Sequence, residues 1–384
     1  MTQPYDKISP AVQAKYLASS PHNVVRVVLG ERRPSDSDTD NVYTRSAAQL
    51  QEWIDSGILA RDSEPSVFPY FQEFTVPDTG ERLVRKSFIA LGAVEDYSKN
   101  IVFRHEKTLS GPKVDRMQLL RHTRAQLEQI FMLYSDPQGA IDAILDKATV
   151  QAPLAEVTDE YGVIHRLWRI AGGEEIQALM QDKKLLIADG HHRYETAIAF
   201  RDENPGVAGA DCVPMAFVNM HSDGLRILAT HRLVSSVSVD GFVEKAESGF
   251  CVQEIDSVEV LQRAWESSGD RSIIGAAIGN KLYMLEDRSA RGELDVRVLH
   301  ERLIGGVLGI SEEAVRNEKH LQYVRGIEPA VEAARTGAAD IAFLLKATSV
   351  QQVADTSFSG GVMPQKSTDF YPKLLSGMAI YQLG

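Results

Sequence analysis

Apolar and polar positions switch repeatedly between helical and alternating spacing along this chain. Ala47, Leu50, Trp53 and Ile54 share one face at helical spacing and predict an amphipathic helix over Tyr43–Ser56, stopped at Gly57. Ser66–Val76 and Arg82–Val94 are rich in strand formers and flank Pro77-Asp78-Thr79-Gly80, which predicts a hairpin. Val24–Leu29 reads as a strand, and Ile101–Thr108 begins as one before turning polar. After the Gly111-Pro112 break, Asp115–Tyr134 carries a long helical pattern. A helix over Gln138–Leu145, a strand over Val163–Ile170 and a helix over Glu174–Gln181 lead to the apolar run Leu185–Ala188. That run stops at Asp189-Gly190, and helical spacing resumes over Tyr194–Arg201.

Past Pro205, Val213–Met220 and Leu225–Leu233 predict strands around a Ser222-Asp223-Gly224 turn. Val239 to Ile310 reads as a compact inserted α/β unit with helices over Gly241–Ser248, Val258–Trp265 and Val296–Leu308. Its strands fall at Cys251–Ile255, Ile273–Ile278 and Lys281–Leu285. A helix (Glu328–Arg335), a strand (Asp340–Leu345), a helix (Ser349–Phe358) and a polar loop precede Phe370–Leu383. The class this predicts is α/β with mixed α+β character. The expected division is an α/β core over 1–235, an inserted smaller α/β subdomain over 236–325 and a C-terminal segment, 326–384, that returns to the core.

Composition narrows the function classes. The 384 residues, 43% hydrophobic and 24% charged, suffice for a substantial core. A net charge of −12 argues against a general nucleic-acid binder but leaves room for a local basic pocket. Cys212 and Cys251 are too few for a disulfide framework or a cysteine-based zinc site. No apolar stretch approaches the roughly 20 residues that span a bilayer, and the N-terminus lacks signal-peptide character, so the expectation is a cytoplasmic protein without membrane partners.

The Asp189–Arg193 turn is the most informative stretch. A helix start exposes unpaired N–H groups and the positive end of the macrodipole. His191, His192 and Arg193 at that end repel it by about 0.3–1 kcal/mol per cation, and a bound anion removes the repulsion while using the free amides. The competing reading makes Asp189 an ordinary N-cap and the histidines surface polars. A second cluster, Arg104–Arg124, holds six Lys or Arg against two acids, a local charge of +4 that focuses anions. Within it Glu106 sits among Arg104, His105 and Lys107, placed to act as a base or to hold a metal. Arg116, Arg121 and Arg124 also fit the solvated face of a helix. The third cluster is Lys366-Ser367-Thr368, with Gly360-Gly361 before it and Lys373 after it. Lysine beside hydroxyls suits phosphate, although Walker A spacing is missing. Tyr5 and Asp6 are candidates to line a substrate pocket. His165 alternates with apolar residues and reads as packed or solvent-facing, and Gly30–Arg33 is followed by Pro34 rather than a helix.

Pro4–Ser9, Pro21–Val27, Arg104–Thr108, Ala188–Ala197 and Val362–Gly377 together resemble, in order and over essentially the whole chain, the domain-of-unknown-function 1015 family. More distantly, the Gly190–Arg193 turn is similar to that of the ParB/sulfiredoxin-like nucleotide-binding superfamily. That resemblance implies a ParB/sulfiredoxin-like core whose turn and helix start hold nucleotide phosphates, usually with magnesium. Sulfiredoxin has a cysteine after the glycine and the partition proteins a glutamate; His191 stands there in this chain. The free serine kinases of the superfamily carry an Asp-Gly-His-His-Arg turn, which Asp189–Arg193 reproduces.

The leading expectation is phosphoryl transfer from ATP, ADP or pyrophosphate to a small hydroxyl substrate, free L-serine first, with Mg²⁺. Glu106, Asp189 and His191 are the catalytic candidates, and Asp189 and Glu106 the metal candidates. Gly190, His192, Arg193, Arg104, Lys107, Lys366, Ser367 and Thr368 would bind phosphate, and His105, Tyr5 and Asp6 the substrate. The alternatives are a nucleotide-binding switch without turnover, and a metal-dependent phosphoesterase using His105, Glu106, Asp189 and His191. Oligomeric state is not legible.

Overall fold

The computed structural model describes residues 1–106, 110–317 and 319–384, and not the side chains of 110–112, 290 and 316. Contacts divide the chain into one unit of Met1–Leu225 with Pro372–Gly384 and a second of Arg226–Tyr371. Both mix helices with sheets, the α/β class expected.

The first unit contains helices α1 (Pro10–Ser19), α2 (Val25–Val28), α3 (Val42–Asp55), α4 (Ser110–Thr123), α5 (Ala140–Ala148), α6 (Glu174–Met180) and α7 (His191–Glu203). Its strands are β1 (Ser66–Thr75), β2 (Arg82–Arg85), β3 (Phe88–Ala93), β4 (Val102–Phe103), β5 (Ala125–Gln126), β6 (Ile130–Tyr134), β7 (Ala155–Thr158), β8 (Ile164–Leu167), β9 (Ile170–Ala171), β10 (Leu185–Asp189) and β11 (Cys212–Asn219). Among the described residues, ten of these form one sheet in the order β4-β10-β6-β11-β3-β1-β8-β7, with β2 and β9 also pairing β1. A last strand, Tyr381–Gln382, pairs with β5. The core gathers Met132, Tyr134, Ile187, Tyr194, Met215 and Phe217.

Two elements differ from the sequence reading. Val24–Leu29 is not a strand: Val25–Val28 forms a helix, with Asn23 Oδ1 accepting from the Val25 N–H at 3.0 Å. Val27 and Val28 pack on Leu50, Trp53 and Leu119, so burial overrides their extended preference. Asp115–Tyr134 is not one helix either. The helix ends at Thr123, Arg124 takes a left-handed φ of 51°, and Ile130–Tyr134 becomes a strand with all five residues buried. A short apolar run buried on both faces has no period that separates strand from helix.

The second unit contains strands β12 (Arg226–Ile227), β13 (Thr230–Val234), β14 (Phe250–Ile255), β15 (Arg271–Ile278), β16 (Lys281–Arg291), β17 (Leu321–Arg325), β18 (Ile341–Leu344) and β19 (Phe370–Tyr371). Its helices are α8 (Phe242–Ala246), α9 (Val258–Glu266), α10 (Asp295–Val298), α11 (Glu312–Arg316), α12 (Ile327–Arg335) and α13 (Val350–Phe358), and α10 continues as a π-helix over Leu299–Val307. A six-stranded sheet runs β14-β16-β15-β18-β13-β17. Because β13 and β18 hydrogen-bond within that sheet, the unit reaches beyond the 236–325 expected for it, and only Pro372–Gly384 belongs with the first unit. No helix among the described residues is long and apolar enough to cross a membrane.

Candidate functional site

β4 and β10 run parallel, Val102 opposite Leu185 and Phe103 opposite Leu186, so their carboxyl ends open at the same edge of the sheet. The segments leaving them, Arg104-His105-Glu106 and Asp189-Gly190-His191, meet there, the usual place for a ligand in an α/β sheet. The pairing of β10 with β6 shifts register between Ile187 and Asp189, and such an irregularity re-aims the side chains at a strand end. Gly190 follows with φ 97°, left-handed backbone that glycine adopts without Cβ strain. A Cβ placed there would lie 3.1 Å from a guanidinium nitrogen of Arg193. The helix begins at His191, earlier than the sequence spacing showed, and no side chain caps it. The first-turn amides of any helix have no upstream carbonyl within the helix to bond.

The side chains around this turn are largely internal. The rings of His105 and His191 meet edge to face, 4.7 Å between centroids. His105 Nδ1 donates to the Ile187 carbonyl at 2.8 Å, and burial lowers its pKa to about 4. His191 is pushed well below the usual histidine range, by burial first and by His105 next. Both imidazoles are thus neutral near pH 7, so burial, rather than an anion, relieves the repulsion expected at the helix start. His191 is nine-tenths buried, and among the described residues its Nε2 has no hydrogen-bond partner. Native proteins rarely bury such an atom unsatisfied.

Asp189 Oδ2 accepts from Arg193 Nη2 at 2.8 Å, and Oδ1 accepts from Lys373 Nζ at 3.3 Å. Burial pushes the carboxyl up, but Lys373, then Arg193 and Lys7, outweigh it and hold Asp189 well below the usual carboxylate range. Arg193 Nη1 also donates to the Gln129 carbonyl at 2.7 Å. The guanidinium is thus fixed beside the turn. His192 is half-buried, and its pKa falls through burial, with Glu195 opposing. Arg104 lies 4.9 Å from the centroid of the Tyr97 ring and donates to Glu195 Oε1 at 3.3 Å; Lys113 pairs with the same carboxylate. Glu106 Oε1 stands 3.9 Å from His105 Nε2 with about a quarter of its side chain (24%) exposed. Tyr5 donates its backbone N–H to Glu128 Oε1 at 3.2 Å, and burial raises its hydroxyl pKa to about 12. Tyr5 and Asp6 both act electrostatically on Arg193.

Residues 104–106 and 189–193 therefore come together, with Tyr5 and Asp6 beside them. Lys107 lies outside the described residues. Lys366, Ser367 and Thr368 belong to the second unit, where Ser367 Oγ donates to the Pro364 carbonyl at 2.5 Å. Among the described residues no group of three or more His, Cys, Asp or Glu gathers to hold a metal ion. Sequence reasoning missed Gln72, Arg85 and Glu195. Gln72 and Arg85 are distant positions of one hairpin whose side chains face each other only once β1 pairs with β2. The lone signal was an arginine within the strand-like run Arg82–Val94.

The family model described as protein of unknown function (DUF1015) matches residues 1–302. No curated protein matches the chain in sequence. Similar solved structures include a free serine kinase variant in complex with ADP, 13% identical with a TM-score of 0.40 over 75% of this chain and 91% of that one. A free serine kinase in complex with AMP shows 14% identity and a TM-score of 0.40 over the same shares, 75% and 91%. A conserved hypothetical protein from Pyrococcus furiosus is 14% identical, with a TM-score of 0.39 over 75% of this chain and 93% of that one.

Proposed function

The chain belongs to the family of unknown function DUF1015, and from that premise we propose that its first unit transfers a phosphoryl group from a nucleotide or pyrophosphate-like donor to a small hydroxyl compound, free L-serine first. The observation that carries this reading is the start of α7 after left-handed Gly190, without a side-chain cap, with the His191 Nε2 beside it that has no partner among the described residues. Outward amides at a helix start are an anion site. The Asp-Gly-His-His-Arg turn of the free serine kinases resembles Asp189–Arg193 and points to the same chemistry.

In this reading the amides of His191, His192 and Arg193 bind oxygens of the transferred group. His191 adds a neutral imidazole contact through Nε2. Arg193 stays on Asp189 and supplies positive charge from the flank, while Arg104 supplies it from the β4 side. Glu106, partly exposed at the edge of the cluster, takes the proton of the acceptor hydroxyl. The serine oxygen forms its bond to phosphorus as the bond to the leaving ADP, AMP or phosphate breaks, and positioning with charge supplies most of the acceleration. Magnesium does not fit Asp189 while Arg193 and Lys373 both hold it, because each carboxylate oxygen then faces a cation. No step here depends on a metal.

Incubation with ATP, ADP or pyrophosphate and an amino-acid mixture, followed by phosphorus NMR, tests the proposal. O-phosphoserine is the expected product. Donor binding without any phosphorylated acceptor would instead identify a nucleotide-dependent switch.

A further inference from the structure

Asp189 faces three cationic side chains, and Glu128 and Asp6 act on Arg193 as well. Lys373, Arg193 and Lys7 all act on Asp189, Lys373 most strongly, and Arg85 feels the same carboxylate from the core. Arg193 is pinned twice, to the Gln129 carbonyl at 2.7 Å and to Asp189 at 2.8 Å. Lys373 approaches at the longer distance of 3.3 Å, on a flexible stem ending in three rotatable donors. If Lys373 turned away, Asp189 would keep its Arg193 pair. If Arg193 turned away, the bond to Gln129 would be lost as well.

The backbone beneath Lys373 is held with unusual firmness. Gln72 and Arg85 are fully buried and sit opposite each other across β1 and β2. Arg85 Nε donates to Gln72 Oε1 at 3.0 Å; Nη2 donates to the same oxygen and to the Pro372 carbonyl, the latter at 2.6 Å. Gln72 Nε2 donates to the Lys373 carbonyl at 2.8 Å. Two buried side chains thus clamp two consecutive carbonyls. The Leu375 N–H adds a third anchor by donating to the Tyr70 hydroxyl at 3.3 Å. Among the described residues no carboxylate pairs with Arg85, and its Nη1 has no hydrogen-bond partner. Burying a guanidinium this way is costly, and what it secures is the position of residues 372–373.

We infer that Lys373 is a donor-binding residue that moves its ammonium from Asp189 to the oxygens of a diphosphate group, with Gln72 and Arg85 as its positioning residues. The inference rests on the reading of Asp189–Arg193 as a phosphate site. Lys373 then neutralises donor charge while Arg193 keeps the Asp189 carboxylate paired. It also places the C-terminal segment of the first unit in the binding step.

Calorimetric titration of the full chain with inorganic pyrophosphate, and separately with ADP, tests this. Lys373→Met should weaken both by about tenfold or more, and Lys373→Arg should stay within about threefold of wild type, as expected for a charge-assisted contact. Gln72→Glu keeps the acceptor for Arg85 but deletes the donor to the Lys373 carbonyl; about threefold weaker binding is expected, together with a Tm lower by about 2–4 °C. Arg85→Lys should weaken binding comparably. Wild-type binding with Lys373→Met within about twofold of it would overturn the inference and leave the turn as a phosphate site. A lower Tm with unaltered affinity in the Gln72 and Arg85 variants would overturn their positioning role. No binding of either ligand by wild type would remove both the inference and the reading beneath it.

Discussion

As stretches of sequence, Asp189–Arg193 of the first unit and Met363–Thr368 of the second unit resemble each other, since both set basic or hydroxyl side chains close to a glycine. Their hydrogen bonds separate them. In the second unit the Lys366 carbonyl accepts from Arg232 Nη2 at 2.9 Å, and Lys366 itself takes a left-handed φ of 57°. Ser367 is buried on its own Pro364 carbonyl, and its carbonyl accepts from Thr348 Oγ1 at 3.0 Å. The element that follows is the short strand β19, not a helix. In the first unit a 13-residue helix starts on a glycine with no side-chain cap, beside an unpartnered imidazole nitrogen. On the proposed reading, phosphate would bind where a helix start lacks a side-chain cap, a feature that residue type alone does not reveal.

The strongest test of the first region is Glu106→Gln. If Glu106 is the base, O-phosphoserine formation should fall about 10²–10⁴-fold while pyrophosphate affinity stays near wild type. Equal turnover in the variant would remove Glu106 from the chemistry. Next comes acidification. His105 is neutral when folded, with a pKa of about 4, whereas an unfolded histidine titrates near 6.5. Its lowered pKa means the unfolded chain binds more protons between those values, so stability is full above about pH 6.5 and declines as pH falls toward 4. His105 alone accounts for roughly 3 kcal/mol of that loss. His231 in the second unit, with a pKa also lowered to about 4 by burial, adds a loss of the same sign. Melting followed from pH 8 to 5 should show Tm dropping below pH 6.5, and a flat profile would mean these rings titrate normally. Gly190→Ala ranks third. Left-handed φ costs a Cβ-bearing residue about 1–2 kcal/mol, and the added methyl presses on Arg193. Pyrophosphate affinity should drop about tenfold, whereas alanine at Gly206, which meets open space, should leave it unchanged.

How much of this was legible follows from what each signal depends on. Local signals survived: strand, glycine and helix at 185–203 were readable from order alone, as was the hairpin between β1 and β2. Signals that depend on burial failed. Val25–Val28 and Ile130–Tyr134 are both short apolar runs, and one folded as a helix and the other as a strand because of the neighbours that cover them. The histidines at the turn read as cations, since sequence does not show that His105 and His191 pack on each other. The meeting of residues 104–106 with 189–193 depends on parallel pairing of β4 with β10, which only the folded sheet provides. Gln72 and Arg85 stayed invisible for the same reason.

The smallest expected effect probes the second region. Ser367→Ala deletes the bond from Oγ to the Pro364 carbonyl, a loss of about 1 kcal/mol that should lower Tm by about 2–4 °C. Because that hydroxyl is occupied within its own loop, pyrophosphate affinity and O-phosphoserine formation should stay within about twofold of wild type. The opposite pattern, unchanged melting with tenfold weaker donor binding, would mean the Ser367 hydroxyl leaves Pro364 for the ligand. The contrast between a loop whose donors are used internally and a turn whose amides lack a cap would then fail at this residue, since a donor already bonded inside the protein would have been available after all.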